Sequence, residues 1–170
     1  MKQQTQRPTL PTFGEVVPGE GGRLGAIMRG PVVGGIRQPD YAIIVPDLSA
    51  VVLPWGKRGQ DVAGTKSLTD GLANTAAMLG AKCPPALRIA ELKTGDGHAD
   101  LYLPASAELQ ALYANVPELF DKAWHWSSTQ RSSNCAFIQS FESGDSFWYL
   151  KGNVCRVRAV RRIPLQHFPT

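Results

Sequence analysis

One short loop contains the residue types that acid–base chemistry requires. Asp96, His98 and Asp100 alternate with glycine and alanine in residues 95–100. A histidine between two carboxylates could exchange protons near neutral pH or bind a metal ion. However, alternating residues of one loop do not converge without partners from elsewhere, and either carboxylate could simply accept backbone N–H bonds in a tight turn. We therefore predict no catalytic residue, and keep an enzyme using His98 with Asp96 or Asp100 as the last alternative.

A second set of residues suits recognition of a ligand. Residues 130–134 and 142–146 are polar and predict two hairpin tips, and three aromatic residues follow at 147–149. Because side chains alternate along a strand, at least one of these aromatics should face outward. An exposed tryptophan or tyrosine beside polar groups suits contact with a glycan or a protein. In the alternative interpretation, Phe147 and Tyr149 belong to the core and Trp148 is a partly covered edge residue. The predicted ligand-binding residues are Gln130, Arg131, Asn134, Glu142, Asp145, Trp148 and Tyr149.

The hydroxyl groups and thiols do not form a recognisable reactive set. His125 lies next to the Trp-Ser-Ser-Thr segment, but neighbours on a strand point to opposite faces, so residues 127–129 are predicted to satisfy backbone groups instead. The three cysteines are an odd number without the CxxC spacing of a zinc site, which predicts free thiols. We predict no cofactor. Calcium at Glu142 and Asp145 is the one alternative, although the two carboxylates lack the EF-hand pattern.

Composition indicates an ordinary globular chain. With 170 residues, 43% of them hydrophobic and 19% charged, the protein can bury the core of one domain. The net charge of +4 is carried largely by four arginines at 156, 158, 161 and 162. Such a cluster could contact nucleic acid, but we expect a sheet end or a solvated strand face instead. The longest apolar runs are only strand length, and the first seven residues lack the apolar stretch of a secretory signal, so we expect synthesis in the cytoplasm and no membrane partner.

Periodicity predicts short helices between strands. The first helix should start after Asp70 and stop at Gly80 with an apolar stripe of Leu72, Ala76 and Leu79, and two more should follow Pro84 and Pro104. The expected strands are residues 41–45, 50–53, 123–129, 135–141, 147–150 and 154–163, those after 123 forming antiparallel pairs. The last of these should contain a bulge, because its apolar residues do not alternate.

The first 40 residues differ from the rest of the chain. They are rich in proline and glycine, yet apolar residues are interspersed, which argues against a bare flexible linker. We interpret residues 1–40 as an extended arm that packs on a partner or on its own domain. The globular domain is predicted at residues 41–163, followed by a C-terminal tail at 164–170.

Four segments together resemble a known family. Residues 70–75, 100–109, 126–130 and the arginine-rich 156–163 are similar to bacterial and phage domains of C-type-lectin-like fold, related to the C-terminal domain of collagen-like bacterial adhesins. In that family a serine usually follows the proline of the Leu-Pro segment, with glutamate three residues later, as a capping box. Here Ala105 replaces the serine, Glu108 remains, and Ser106 could cap instead. The resemblance implies an α+β, C-type-lectin-like fold: short helices packed on a small twisted antiparallel sheet, preceded by the Pro/Gly-rich arm.

The resemblance also implies a role in recognition. We expect a non-enzymatic binding module of a phage or prophage tail fibre or baseplate, located in the virion, which recognises a host-surface glycan or protein. Residues 1–40 would dock to other virion proteins, and the protein would be a homo-oligomer, with a trimer expected because fibres are commonly threefold. The alternative is a cytoplasmic protein-interaction domain of a prophage that acts on a host factor.

Overall fold

A computed structural model describes residues 9–168 of the chain. Within these residues it contains three short α-helices, two 3₁₀ turns and short strands grouped in separate sheets. The helices are α1 (Gly71–Gly80), α2 (Pro84–Ala90) and α3 (Ser106–Asn115), and the 3₁₀ turns are Pro117–Leu119 and Leu165–His167. The strands are β1 (Val16–Val17), β2 (Gly22–Met28), β3 (Val32–Val33), β4 (Ile36–Arg37), β5 (Tyr41–Pro46), β6 (Val51–Pro54), β7 (Trp124–Gln130), β8 (Cys135–Ser140), β9 (Ser146–Leu150), β10 (Val154–Val157) and β11 (Arg161–Pro164).

The strands form two main sheets and one hairpin. One antiparallel sheet has the order β1-β2-β5-β11, and the other has the order β6-β10-β7-β8-β9. In the second sheet β10 runs parallel to β7, with Arg156 opposite His125, while the other neighbours are antiparallel. β3 and β4 pair only with each other, around a Gly34-Gly35 turn whose positive φ angles of 57° and 79° favour glycine. The predicted α+β class is confirmed, although the strands do not form the single small sheet that we expected.

β5 is buried on both faces, which explains its continuous apolar sequence. Tyr41, Ile43 and Val45 pack in one cluster with residues of α3, whereas Ala42 and Ile44 pack on the opposite side. Since side chains alternate along a strand, a run without polar residues requires cover on each face. The second face is covered by the two ends of the described chain, from Leu10 and from the C-terminal Phe168.

The predicted boundary at residue 40 does not separate an arm from a domain. β2 pairs with β5 along its whole length, so residues 22–28 belong to the same sheet and pack on their own domain. The glycines of β2 allow this close approach: a Cβ on Gly22 would lie 2.2 Å from the carbonyl oxygen of Val45, and one on Gly25 would lie 2.5 Å from Leu112. The register also shifts at Gly25, as expected at a β-bulge. The predicted tail is likewise packed, because Phe168 is buried; residues 1–8 and 169–170 lie outside the described part.

The last predicted strand is two strands in different sheets. Residues 154–157 form β10 beside β6, while residues 161–164 form β11 beside β5. Between them Val160 makes an isolated bridge to Tyr102 and is fully buried. The irregular spacing of apolar residues that suggested a bulge therefore marks a crossing from one sheet to the other.

The helices follow their predicted starts, but α1 buries a different face from the one expected. Asp70 caps α1 by accepting a hydrogen bond from the N–H of Ala73 at 3.1 Å. Leu72 and Leu79 of the predicted stripe are exposed, whereas Asn74 and Thr75 are buried. Both polar side chains are hydrogen-bonded, which is the condition for burying them. Their partners include the carbonyl of Ser67 for Asn74, and the carbonyl of Gly71 and the N–H of Leu103 for Thr75.

Two apolar clusters join the helices to the sheets. α1 and α2 cover the five-stranded sheet through a cluster that includes Met78, Ile89, Trp55 and Trp126, and α3 covers the four-stranded sheet. None of the helices in residues 9–168 has the length and apolar character needed to cross a membrane.

Candidate binding surface

β9 lies at the edge of the five-stranded sheet and is exposed along its whole length. Every residue from Ser146 to Leu150 is exposed, and Phe147, Trp148 and Tyr149 retain 59%, 37% and 39% of their accessible surface. With about 200 Å² for an aromatic side chain, these three alone leave roughly 270 Å² of aromatic surface in water. Edge strands are usually protected by charged residues or proline, and β9 contains neither. The interpretation that Phe147 and Tyr149 belong to the core is therefore wrong.

A broad groove of about 620 Å³ adjoins β9. All five strands of the sheet contribute residues to its lining, which is mainly apolar. The one charged residue in the lining is Arg156, whose Nε donates to Asp121 Oδ2 at 2.7 Å. The apolar lining residues include Val52, Trp124, Ile138, Phe147, Tyr149 and Val154. A mainly apolar concavity beside exposed aromatics is suited to receive apolar groups of a ligand.

Contacts within the sheet hold the aromatic side chains in place. Phe147 lies against Trp124, with ring centroids 5.5 Å apart, while Trp148 meets Phe137 edge to face at 5.5 Å. The guanidinium of Arg131 lies 5.6 Å from the centre of the Trp148 ring, in cation–π contact. The structure thus brings together Arg131 and Trp148, two of the residues predicted to bind a ligand.

The other predicted polar residues lie on loops at the two ends of β8. Asn134 is exposed in the loop before β8, and its carbonyl oxygen accepts the N–H of Lys151 at 2.9 Å. Glu142 and Asp145 are exposed in the loop after β8, where Asp145 accepts a hydrogen bond from Ser143 at 2.8 Å. In residues 9–168 no three or more His, Cys, Asp or Glu side chains are grouped to hold a metal ion, so calcium stays a prediction without a site.

Gln130 is not a surface residue, contrary to the prediction. Its side chain is 2% exposed and points into the domain at the end of β7. Its Oε1 accepts the N–H of Val62 at 3.0 Å, and its Nε2 donates to Asp61 Oδ1 at 2.8 Å. The turn after β7 begins one residue later than the polar sequence suggested, so Gln130 belongs to the strand and Arg131 is the first exposed residue.

The loop that contains Asp96, His98 and Asp100 fastens the N-terminal segment to the domain. His98 Nε2 lies 2.8 Å from the carbonyl oxygen of Gly19, and Thr94 donates to Asp96 at 2.5 Å. The hydrogen bond from Thr94 lowers the pKa of Asp96. Burial raises the pKa of Asp100, but hydrogen bonding and attraction to the Arg161 guanidinium lower it overall. Asp96 lies 3.6 Å from His98 Nε2, but Asp100 is paired with Arg161, so the three side chains do not converge on one reacting position.

The arginine cluster is built into the domain. Arg161 is buried between Asp100 and Glu20, at 2.8 Å and 2.7 Å, while Arg162 pairs with Asp70 at 3.1 Å. Arg158 donates to the carbonyl of Pro46 at 2.9 Å, and Arg156 pairs with Asp121 as described. All four guanidinium groups are therefore held by acceptors of the same chain.

A fully buried carboxylate, Glu108, joins the helices to β5, and sequence reasoning found only half of its role. As expected for a capping box, Glu108 Oε2 accepts the N–H of Ala105 at 2.8 Å. The same oxygen accepts the N–H of Gly71, and the other carboxylate oxygen, Oε1, accepts the hydroxyls of Tyr41 and Tyr102. The cap that Ser106 was expected to supply comes from the β7 residue Thr129, whose Oγ1 accepts the Ser106 N–H at 2.9 Å.

The chain has no match among protein-family models, and no curated protein matches it.

Proposed function

We propose that this chain is a non-enzymatic binding module of C-type-lectin-like fold, which contacts a protein partner through β9 and the adjoining groove. One observation carries the proposal: five consecutive exposed residues on an uncharged edge strand, three of them aromatic. Aromatic residues and arginine are enriched in protein interfaces, and here Arg131 flanks Trp148. The fold assignment rests on the four family-like segments of the sequence and is compatible with the α+β architecture.

The chemistry of the groove favours a protein over a glycan. A sugar needs many hydrogen-bonding groups for its hydroxyls, whereas the lining is mainly apolar and the Nε of its single charged side chain, Arg156, donates to Asp121. In residues 9–168 the outer side of β9 also lacks a neighbouring strand, so its free backbone groups could pair with an extended segment of a partner. An extended peptide with apolar side chains would satisfy both the strand edge and the groove.

The family resemblance leads us to place this module in a phage or prophage tail fibre or baseplate, with its partner on the host surface. Among the described residues of the segment 1–40, we assign the docking role to the β3–β4 hairpin, because β2 is part of the four-stranded sheet. Val32, Val33 and Ile36 of that hairpin are exposed, as a contact with other virion proteins or with further copies in a trimer requires. Mass spectrometry of purified particles should detect the chain at stoichiometric copy number; its absence would favour the cytoplasmic alternative.

Replacing Phe147 with alanine should weaken binding to host cells by about 30-fold, the effect of losing one interface hot spot. The side chain is mostly exposed, so the domain should remain folded. Binding of labelled protein to intact cells of the host bacterium measures the effect. Phe13→Ala is the matched control, because Phe13 is also an exposed aromatic but does not line the groove, and it should bind normally.

Two results would contradict the proposal. Equal binding by the Phe147→Ala and Phe13→Ala variants would mean that the surface is wrongly assigned. Pretreatment of the cells separates the ligand classes: protease should abolish binding, whereas loss of binding only after periodate oxidation would identify a glycan ligand.

A further inference from the structure

A buried amine and a buried carboxamide meet at the end of β7. Lys151 is fully buried, and its Nζ is in contact with Oε1 of the buried Gln130. The amine also donates to the carbonyl oxygen of Gln60 at 2.8 Å and lies 4.6 Å from the centre of the Trp55 ring. A lysine side chain is rarely buried completely, so the burial of Lys151 is unusual.

The groups around Gln130 match the needs of acyl transfer. The N–H of Val62 donates to Oε1 at 3.0 Å, where it would stabilise negative charge that develops on this oxygen. The amide nitrogen Nε2, which would be the leaving group, donates to Asp61 Oδ1 at 2.8 Å. A nucleophile, a polarised carbonyl and a carboxylate able to move protons thus surround one amide.

Backbone hydrogen bonds fix the positions of the two residues that would react. The N–H of Lys151 donates to Asn134 at 2.9 Å, its carbonyl accepts from Trp55 at 3.0 Å, and the N–H of Gln130 donates to Thr65 at 2.8 Å. Since a C=O bond is about 1.2 Å long, an amine in contact with Oε1 is close to the carbonyl carbon as well. Fixed proximity of this kind greatly accelerates reactions between two groups.

We propose that Lys151 and Gln130 become joined by an intramolecular isopeptide bond that the folded chain forms by itself. The neutral amine of Lys151 attacks Cδ of Gln130 and forms the new N–C bond, while the carbonyl electrons move onto Oε1 beside the Val62 N–H. The amine loses one proton, and Nε2, which is hydrogen-bonded to the Asp61 carboxylate, gains one. The Cδ–Nε2 bond then breaks and ammonia leaves, so that a lysine and a glutamine side chain yield one secondary amide and one ammonia, without an oxidant or cofactor.

The surroundings support this reaction at two points. Burial lowers the pKa of Lys151, which makes the neutral, nucleophilic amine more accessible. Asp61 is exposed, although Gln130 and Lys151 are buried, so the leaving nitrogen Nε2, which bonds Asp61, lies on the side of the cluster that reaches solvent.

The cross-link would join the end of β9, the edge strand of the proposed binding surface, to the end of β7. Residue 130 ends β7 and residue 151 directly follows β9, so the new bond closes a covalent ring around β8 and β9. The C-terminal end of the edge strand would then be covalently tied to the end of β7. This inference is independent of the proposed function, because the bond can be observed whether or not β9 binds a partner.

The mass of the purified full-length protein tests the proposal directly. We expect a mass lower than that of the sequence by one ammonia, and a branched peptide after proteolysis in which Lys151 is linked to Gln130 and is not cleaved by trypsin. A full sequence mass after prolonged incubation at neutral pH would overturn the proposal and leave Lys151 as a structural ammonium group.

Variants assign the roles of the residues once circular dichroism has shown that each variant is folded, because the bond forms only in the folded chain. Lys151→Met and Asp61→Asn should both retain the full sequence mass, because the first lacks the nucleophile and the second lacks the carboxylate beside the leaving nitrogen Nε2. Lys66→Met, which removes an exposed lysine, is the matched control and should still lose ammonia. Loss of ammonia that persists in Lys151→Met would place the reaction elsewhere and overturn the assignment.

Discussion

Replacing Glu108 with alanine should lower the free energy of unfolding by about 3–5 kcal/mol, the largest loss that we expect from a single substitution in this chain. The carboxylate is fully buried and accepts four hydrogen bonds, from the hydroxyls of Tyr41 and Tyr102 and from the N–H groups of Gly71 and Ala105. Truncation would leave these donors without their acceptor in the interior. Chemical denaturation, followed by tryptophan fluorescence, measures the change.

Glu108→Gln is the matched control because it keeps the size and one acceptor oxygen. That oxygen can face the two backbone N–H groups, while the amide nitrogen faces the tyrosine hydroxyls, which can rotate to accept. Burial, and then the nearby carboxylate, raise the pKa of both tyrosines, so their hydroxyls are protonated and able to reorient. We expect a loss of about 1 kcal/mol for this variant. A similar loss for alanine and glutamine would show that the hydrogen bonds of Glu108 contribute little.

Acidification from pH 6.5 to pH 4 should remove about 3 kcal/mol of stability through a second buried residue, His125. Its ring packs against Phe120 and Phe141, with centroids 5.5 Å and 4.8 Å away. Burial lowers the pKa of His125 from 6.5 to about 4, despite the hydrogen bond from Nδ1 to the carbonyl of Ala123. Nε2 is buried and has no hydrogen-bond partner among residues 9–168, so a proton bound there would be poorly solvated.

The direction of the effect follows from proton binding. Between pH 6.5 and pH 4 the unfolded chain binds a proton at His125 that the folded chain does not, so stability falls as the pH falls. Above pH 6.5 the contribution is fully present. The other groups that face the ring, Asp121, Arg156 and Arg158, are the same in a variant that changes only the histidine.

His125→Phe isolates this contribution, since the new ring can pack between the same two phenylalanines and does not titrate. The difference in unfolding free energy between wild type and variant should change by about 3 kcal/mol from pH 6.5 to pH 4, in favour of the variant, while groups common to both cancel. A difference that stays constant with pH would mean that His125 is protonated equally in the folded and unfolded states.

Local patterns in the sequence are sufficient to locate several helices and strands. Asp70 and the Pro84-Pro85 pair mark helix starts because caps and first-turn prolines act within a few residues, and the apolar run at 41–45 is a strand because its pattern is local. The same kind of local pattern predicts that at least one aromatic of 147–149 faces outward, because three aromatics in succession on a strand cannot all face one side; the structure exposes all three.

The contacts between those elements are visible only in the folded chain. Sequence spacing did not indicate that β2 pairs with β5, that residues 154–163 divide between two sheets, or that α1 buries Asn74 in place of Leu72. Each of these depends on partners far along the chain, whose positions no local pattern specifies. Gln130 shows the same limit: its amide looked like a surface ligand, and only the fold places it between Asp61, Val62 and Lys151. Gln130 is buried because distant segments of the chain pack around it and supply its hydrogen-bond partners.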